Sequence, residues 1–221
     1  HAVFAYKPAP LQLTMVGYPG TSGAPYIDYI LGDRVVTPEE HQKDFQECIA
    51  QMPHCYLPTD NTLAPVEPLP RTYSGLPSHG VVYCCFNQLY KITPSVANAW
   101  SEILHQVPDS VLWLLEWNNE GLIRLRHEMA MRGIDPSRLI FSPLMSPLEN
   151  QARLQAADLF LDTWPYNGHT TASEALWGGV PVLTHSGNTF ASRVAASLVH
   201  GCGLPELHCV DTKTYVERGI E

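Results

Sequence analysis

Val81-Val-Tyr-Cys-Cys-Phe86 and Ser110-Val-Leu-Trp-Leu-Leu115 are two short apolar runs separated by the longer pattern of Pro94 to Gln106. Short runs rich in Val, Leu and aromatic residues read as strands, and the longer stretch reads as a helix. The rhythm continues through a helix over Gly121 to Arg132, a strand over Leu139 to Phe141, a helical stretch near Glu149 to Ala157 and a strand over Leu159 to Asp162. A helix from about Thr170 to Trp177, a strand over Val180 to Thr184 and a helix over Ala191 to Val199 complete it. Such βαβα alternation predicts an α/β fold, a parallel sheet with helices on both faces.

Upstream the texture differs. A strand-like Leu11 to Val16 leads into the Gly- and Pro-rich Gly17-Tyr-Pro-Gly-Thr-Ser-Gly23, followed by a strand near Tyr29 to Gly32 and a helix starting near Thr37-Pro38-Glu39-Glu40. These elements read as the remnant of a second unit. The five prolines between Leu57 and Gly80 predict an extended connection. The chain therefore divides into residues 1–56, a connecting segment 57–79, and residues 80–221. No internal repeat with a period of 20 to 50 residues is visible, so no helical-repeat array is expected.

With 45% hydrophobic and 16% charged residues among 221, the chain is outside the range where disorder is expected. A formal charge of -9, from 22 acidic and 13 basic residues, argues against a nucleic-acid partner, which calls for a basic stripe. It does not exclude a nucleotide, because helix N-termini and one Lys can hold a diphosphate on an acidic protein. The six cysteines lack a disulfide-rich spacing and read as reduced, intracellular thiols. No apolar run approaches the roughly 20 residues of a membrane span, so no membrane partner is expected. His200, Cys202, His208 and Cys209 lie close in sequence, but their spacing matches no structural zinc pattern, and no metal or cofactor is expected.

Ligands of open parallel sheets bind outside the C-terminal ends of the strands. The loop after Leu159 to Asp162, Thr163-Trp-Pro-Tyr-Asn-Gly-His-Thr-Thr-Ala172, ends in hydroxyl residues where a helix must begin. Thr170 and Thr171 are placed to cap that helix, and its free N–H groups favour a phosphate. A capped helix after a glycine turn, with no ligand, explains the same residues. Phe86-Asn-Gln-Leu-Tyr-Lys91 leaves another strand end and brings Gln88 and Lys91 to the same rim.

Phe86-Asn-Gln-Leu-Tyr-Lys-Ile-Thr-Pro94, Ser110 to Leu115, Ile140-Phe-Ser-Pro143, Asn167-Gly-His-Thr-Thr171 and Ala191-Ser-Arg-Val-Ala-Ala-Ser197 resemble consecutive motifs of the protein O-GlcNAc transferases. Lys7-Pro-Ala-Pro-Leu-Gln12 and Gly17 to Gly23 do so as well, in the same order, over nearly the whole chain. The resemblance implies a GT-B fold of two Rossmann-like lobes, of which this chain supplies the C-terminal one and part of the other. It implies UDP-N-acetylglucosamine as donor, Ser/Thr hydroxyls of a protein as acceptor, and a cytoplasmic location, with a nuclear one as well in a eukaryote. Carried over by motif, Lys91 neutralises the diphosphate leaving group, Gln88 contacts the nucleotide, His169, Thr170 and Thr171 hold the phosphates, and Glu174 accepts hydrogen bonds from the ribose. Gly17 and Pro19 line the sugar side.

The sequence also departs from the family. Where many relatives place a Lys and a His before an Arg, this chain has Pro147 and Asn150, with Arg153 retained as a nucleotide contact. Tyr166 stands where some relatives carry a small thiol, which reshapes the pocket for the N-acetyl group. The His residues of the family's N-terminal lobe, its tetratricopeptide array and its closing helices have no counterpart here. The chain is therefore expected to be a fragment, or a protein without catalysis, partnered by the missing lobe and repeats. A SPINDLY-like O-fucosyltransferase using GDP-fucose and a non-catalytic nucleotide-sugar-binding module are the alternatives.

Overall fold

The structure, a computed structural model, describes residues 2–221. Two parallel sheets lie on either side of the proline-rich connection. The first joins β1 (Leu13–Thr14), β2 (Tyr29–Asp33) and β3 (Cys48–Met52) in that order. The expected strand over Leu11 to Val16 shrinks to two residues because Val16 (φ 56°) and Gly17 (φ 83°) turn the backbone through the left-handed region. The helix expected from Thr37 is a 3-10 turn, Glu39–Asp44, and β3 was not foreseen.

The second sheet contains β4 (Val81–Cys85), β5 (Ser110–Leu115), β6 (Leu139–Ser142), β7 (Leu159–Leu161), β8 (Val182–His185) and β9 (His208–Cys209). Its order is β6-β5-β4-β7-β8-β9, parallel throughout. Six helices connect and flank these strands: α1 (Pro94–Gln106), α2 (Asn119–Met131), α3 (Pro147–Leu154), α4 (Thr170–Trp177), α5 (Val194–Gly201) and α6 (Thr212–Ile220). The order runs outward in both directions from β4 and β7, so the topological switch point, where a ligand crevice is expected, lies between them.

Local signals explain most boundaries. Thr93 caps α1 and Pro94 opens it, while Val96, Trp100, Ile103 and Leu104 form its buried face. Ser146 and Glu149 form a capping box, so α3 starts at Pro147, earlier than the apolar pattern suggested. Conversely, α5 starts only at Val194, because Thr189 and Ser192 close a separate 3-10 turn over Phe190–Ser192. Strand β8 starts at Val182, later than expected.

Helix α6 locks the core beneath the switch point. Trp100 on α1 donates to the Tyr215 hydroxyl (3.1 Å), which donates to the Asp162 carbonyl (2.9 Å). The two sheets are tied through α5: Ser197 donates to Asp33 (2.6 Å), and Arg193 donates to the Val36 carbonyl (2.9 Å). Asp33 also accepts from the Tyr56 N–H (2.8 Å), which anchors the start of the connecting segment. That segment then runs along α3, where Leu69 bonds to Ala152 and Arg71 pairs with Asp158 (2.7 Å).

Candidate functional site

Asn87 and Asp162 sit side by side at the ends of β4 and β7, both buried. A buried polar side chain must find partners, and here the partners are each other and the loop that follows β7. Asp162 accepts from the Gly168 N–H (2.6 Å), from Asn87 (3.1 Å) and from the Thr184 hydroxyl (2.7 Å). Thr171 donates its hydroxyl to Asn87 Oδ1, and Asn87 donates to Thr163 Oγ1 (2.9 Å). Burial raises the Asp162 pKa to about 6 despite these donors. Gly168 is required for closeness: a Cβ there would stand 2.9 Å from Thr171 Oγ1 and 3.0 Å from Asn87 Oδ1.

This ring of bonds sets the start of α4. The expectation that Thr170 and Thr171 cap the helix is not met: His169 occupies the cap position, no side chain caps the helix, and the Thr171 hydroxyl is engaged by Asn87. The first-turn N–H groups are consequently left without a side-chain acceptor and carry the positive end of the helix dipole.

Lys91 reaches the same loop from the β4 side. Its Nζ donates to the Asn167 carbonyl (2.7 Å) and lies 4.1 Å from the Tyr166 ring centre. Burial lowers its pKa, and the nearby Asp162 carboxylate opposes that shift. Tyr166 in turn stacks on His169 at 5.0 Å. The His169 pKa is lowered to about 4, by burial first and by the Lys91 charge as well, so the imidazole is neutral at pH 7. Its Nε2 faces the Ala191 carbonyl at 3.3 Å. A carbonyl only accepts, so Nε2 carries the proton and Nδ1 is left as an acceptor.

Two cavities meet over this rim, sharing Leu57 and Thr170. The inner one, about 220 Å³, is bounded by Gly17, Tyr18 and Pro19 on one side and Tyr166 and His169 on the other. Glu47 holds its outer loop by accepting from Thr21 and Ser22. Burial would raise the Glu47 pKa, but these donors bring it below the ordinary value. The outer cavity, about 260 Å³, lies between the connecting segment (Leu57 to Asp60 and Leu63) and the facing surfaces of α3 and α4, including Leu148, Glu174 and Trp177. Burial raises the Glu174 pKa, and a hydrogen bond donated by Asn150 (3.1 Å) opposes it.

The structure thus brings Tyr166, His169, Thr170, Glu174, Gly17 and Pro19 to one continuous cleft, with Thr171 anchoring its floor; Lys91 lines neither cavity and stands beside them, against the Tyr166 ring and bonded to the Asn167 carbonyl. Gln88 is half-buried at the cap of the 3-10 turn Leu89–Lys91 and lines neither cavity. Arg153 is also outside both: it is 1% exposed and packs over Phe86 and Trp113. Asn87 and Asp162 were not singled out from the sequence, although a polar pair at adjacent strand ends was the available signal.

The sequence profile of glycosyl transferase family 41 matches residues 1–64 and 66–221. The chain is 40% identical over 225 residues to the probable UDP-N-acetylglucosamine--peptide N-acetylglucosaminyltransferase SEC of Arabidopsis thaliana, covering 99% of this chain and 23% of that protein. It is 35% identical to the probable UDP-N-acetylglucosamine--peptide N-acetylglucosaminyltransferase SPINDLY of Petunia hybrida, covering 99% of this chain and 24% of that one. Among solved structures it is similar to a mutant O-GlcNAc transferase of Thermobaculum terrenum, with a TM-score of 0.85 and 31% identity over 98% of this chain and 41% of that one. The architecture is of the GT-B type. The chain spans about a quarter of the length of these curated relatives. No helix among the described residues is long and apolar enough to cross a membrane.

Proposed function

The chain belongs to glycosyl transferase family 41, and from that premise we propose that it forms the nucleotide-sugar-binding part of a protein O-GlcNAc transferase. Its donor is UDP-N-acetylglucosamine and its acceptor a Ser/Thr hydroxyl of a protein. The observation that carries this reading is the convergence of the Lys91 ammonium and the uncapped start of α4 at the switch point. Both point positive charge at one place, and sugar transfer leaves a diphosphate whose negative charge grows as the glycosidic bond breaks.

The two cavities fit the two ends of such a donor. The nucleoside occupies the outer cavity with its ribose on Glu174, the diphosphate lies over Thr170 and Lys91, and the sugar enters the inner cavity. There the lone pair on His169 Nδ1 suits a sugar hydroxyl, a donor, better than a phosphate oxygen. His169 is therefore assigned to the sugar, a change from the phosphate role that the motif suggested. Lys91 and the first-turn N–H groups supply the charge a metal would otherwise bring. The six free thiols support a reducing compartment such as the cytoplasm. We further propose that the rest of the cleft and the acceptor site come from outside these 221 residues, so that the chain alone transfers little or no sugar.

One observation favours the alternative donor, GDP-fucose: Asp60 lines the outer cavity, and a carboxylate suits the adjacent N–H donors of guanine. The deciding experiment supplies the complete protein with a peptide acceptor and either labelled UDP-N-acetylglucosamine or labelled GDP-fucose. Incorporation from the first supports the principal reading and incorporation from the second replaces it. A complete, folded protein that binds either donor and transfers neither sugar is a non-catalytic module.

A further inference from the structure

Arg153 is a buried guanidinium with no carboxylate bonded to it among the described residues. Its Nη1 donates to the Pro143 carbonyl (2.7 Å), and its Nε and Nη2 both donate to Asn150 Oδ1 (3.1 and 2.9 Å). A guanidinium only donates, so the oxygen of the Asn150 amide must face it. The amide nitrogen then faces the other way, and it donates to Glu174 Oε2 at 3.1 Å. A carboxylate only accepts, so each link of the chain has one allowed direction. We propose that Asn150 and Arg153 are positioning residues for the nucleotide: Arg153 fixes the Asn150 amide, and Asn150 aims the Glu174 carboxylate into the outer cavity.

The function of this relay rests on Glu174 meeting the ribose. Neither positioning residue needs to touch the ligand. Arg153 is kept without a bonded carboxylate by the three hydrogen bonds it donates, and the nearby Glu149 carboxylate favours its charge. The groups around Glu174 are few. Asp60 faces it across the cavity from the connecting segment, Arg153 stands behind Asn150 on α3, and Thr170, Ser173 and Trp177 on its own helix carry no charge. Asn150 is thus the donor that offsets burial of the carboxylate.

The test reads the titration of the Glu174 carboxyl carbon by NMR in the 221-residue chain without nucleotide, then UDP affinity by calorimetry. Asn150→Leu keeps the size and removes the amide. Asn150→Ser is too short to bridge and serves if the Leu variant does not fold. Asn150→His can accept from Arg153 and donate to Glu174. The Leu or Ser variant should move the Glu174 midpoint up by about one pH unit and weaken UDP about tenfold at pH 7. The His variant should restore both. A folded Leu or Ser variant whose Glu174 midpoint coincides with that of the unmodified chain overturns the relay. A moved midpoint in a chain that binds no UDP would leave the relay standing and overturn the functional reading instead.

Discussion

Around the loop that Lys91 holds, Asp162, Asn87, Gly168 and Thr171 close a ring of hydrogen bonds in which the strand ends and the loop fix one another. At the Glu174 end, one amide, that of Asn150, stands between the carboxylate and a buried arginine. The first region is made from adjacent central strands and is buried; the second is made from two short helices and an extended segment and is half open. The place where, on the proposed reading, charge is met during reaction is held by several mutually fixing bonds. The place where we propose that the nucleoside is recognised is held by few contacts. Substitutions at the first end should damage turnover or the loop itself, whereas those at the second should change which nucleotide binds and how tightly.

The largest effect is expected at Lys91. In the complete protein, Lys91→Ala should lower turnover about a hundredfold or more while weakening UDP-sugar binding only modestly, because the ammonium gains strength as charge grows on the leaving group. Steady-state kinetics with a melting curve on the same sample separates this from a structural role, and a folded variant with near-normal turnover removes Lys91 from the chemistry.

His169 gives the next effect, through pH. The unfolded chain takes up its proton near pH 6.5, the folded protein only near pH 4. Between those values unfolding is coupled to proton uptake, so the stability held by the neutral ring is complete above pH 6.5 and is lost as pH falls toward 4. The whole window is worth about 3 kcal/mol. Urea midpoints across it should fall less steeply in His169→Gln than in the unmodified chain, and parallel curves would show that His169 titrates normally.

At the other end of the cleft, Glu174→Gln should weaken UDP and uridine alike by about 1 to 3 kcal/mol, the cost of a lost charge-assisted hydrogen bond. Equal uridine affinities before and after the change would take Glu174 out of the site. The smallest effect belongs to Gly168→Ala. The added Cβ must push Thr171 or Asn87 aside, which should cost about 1 to 2 kcal/mol of stability, read as a shift in urea midpoint. No shift would mean that the ring is looser than its distances indicate.

The sequence made the central strands and helices legible because each carries its own signal. Pro94 to Gln106, Ser110 to Leu115 and Thr170 to Trp177 match α1, β5 and α4 residue for residue; a cap and a proline mark the start of α1 and an apolar run marks β5, whereas the start of α4 was reached although the threonine cap expected there does not form. Strand β9 and helix α6 were overlooked, although Asp211 before Thr-Lys-Thr-Tyr is a helix-start signal. Among the site residues, Lys91, His169, Thr170 and Glu174 were readable as motif members that strand ends bring together. Arg153 was legible as a motif member but its burial was not, because whether an arginine turns toward a cleft or under a sheet depends on tertiary packing. Asn150 registered only as a departure, since its role needs the contact between α3 and α4.

The most direct test is calorimetric titration of the 221-residue chain with UDP and with GDP, repeated on Lys91→Ala and Glu174→Gln. One molecule of UDP should bind per chain more tightly than GDP, with a clear loss in Glu174→Gln and a smaller one in Lys91→Ala. Binding of neither nucleotide by the folded chain, or UDP binding indifferent to both substitutions, would contradict a nucleotide-sugar site at the β4–β7 switch point.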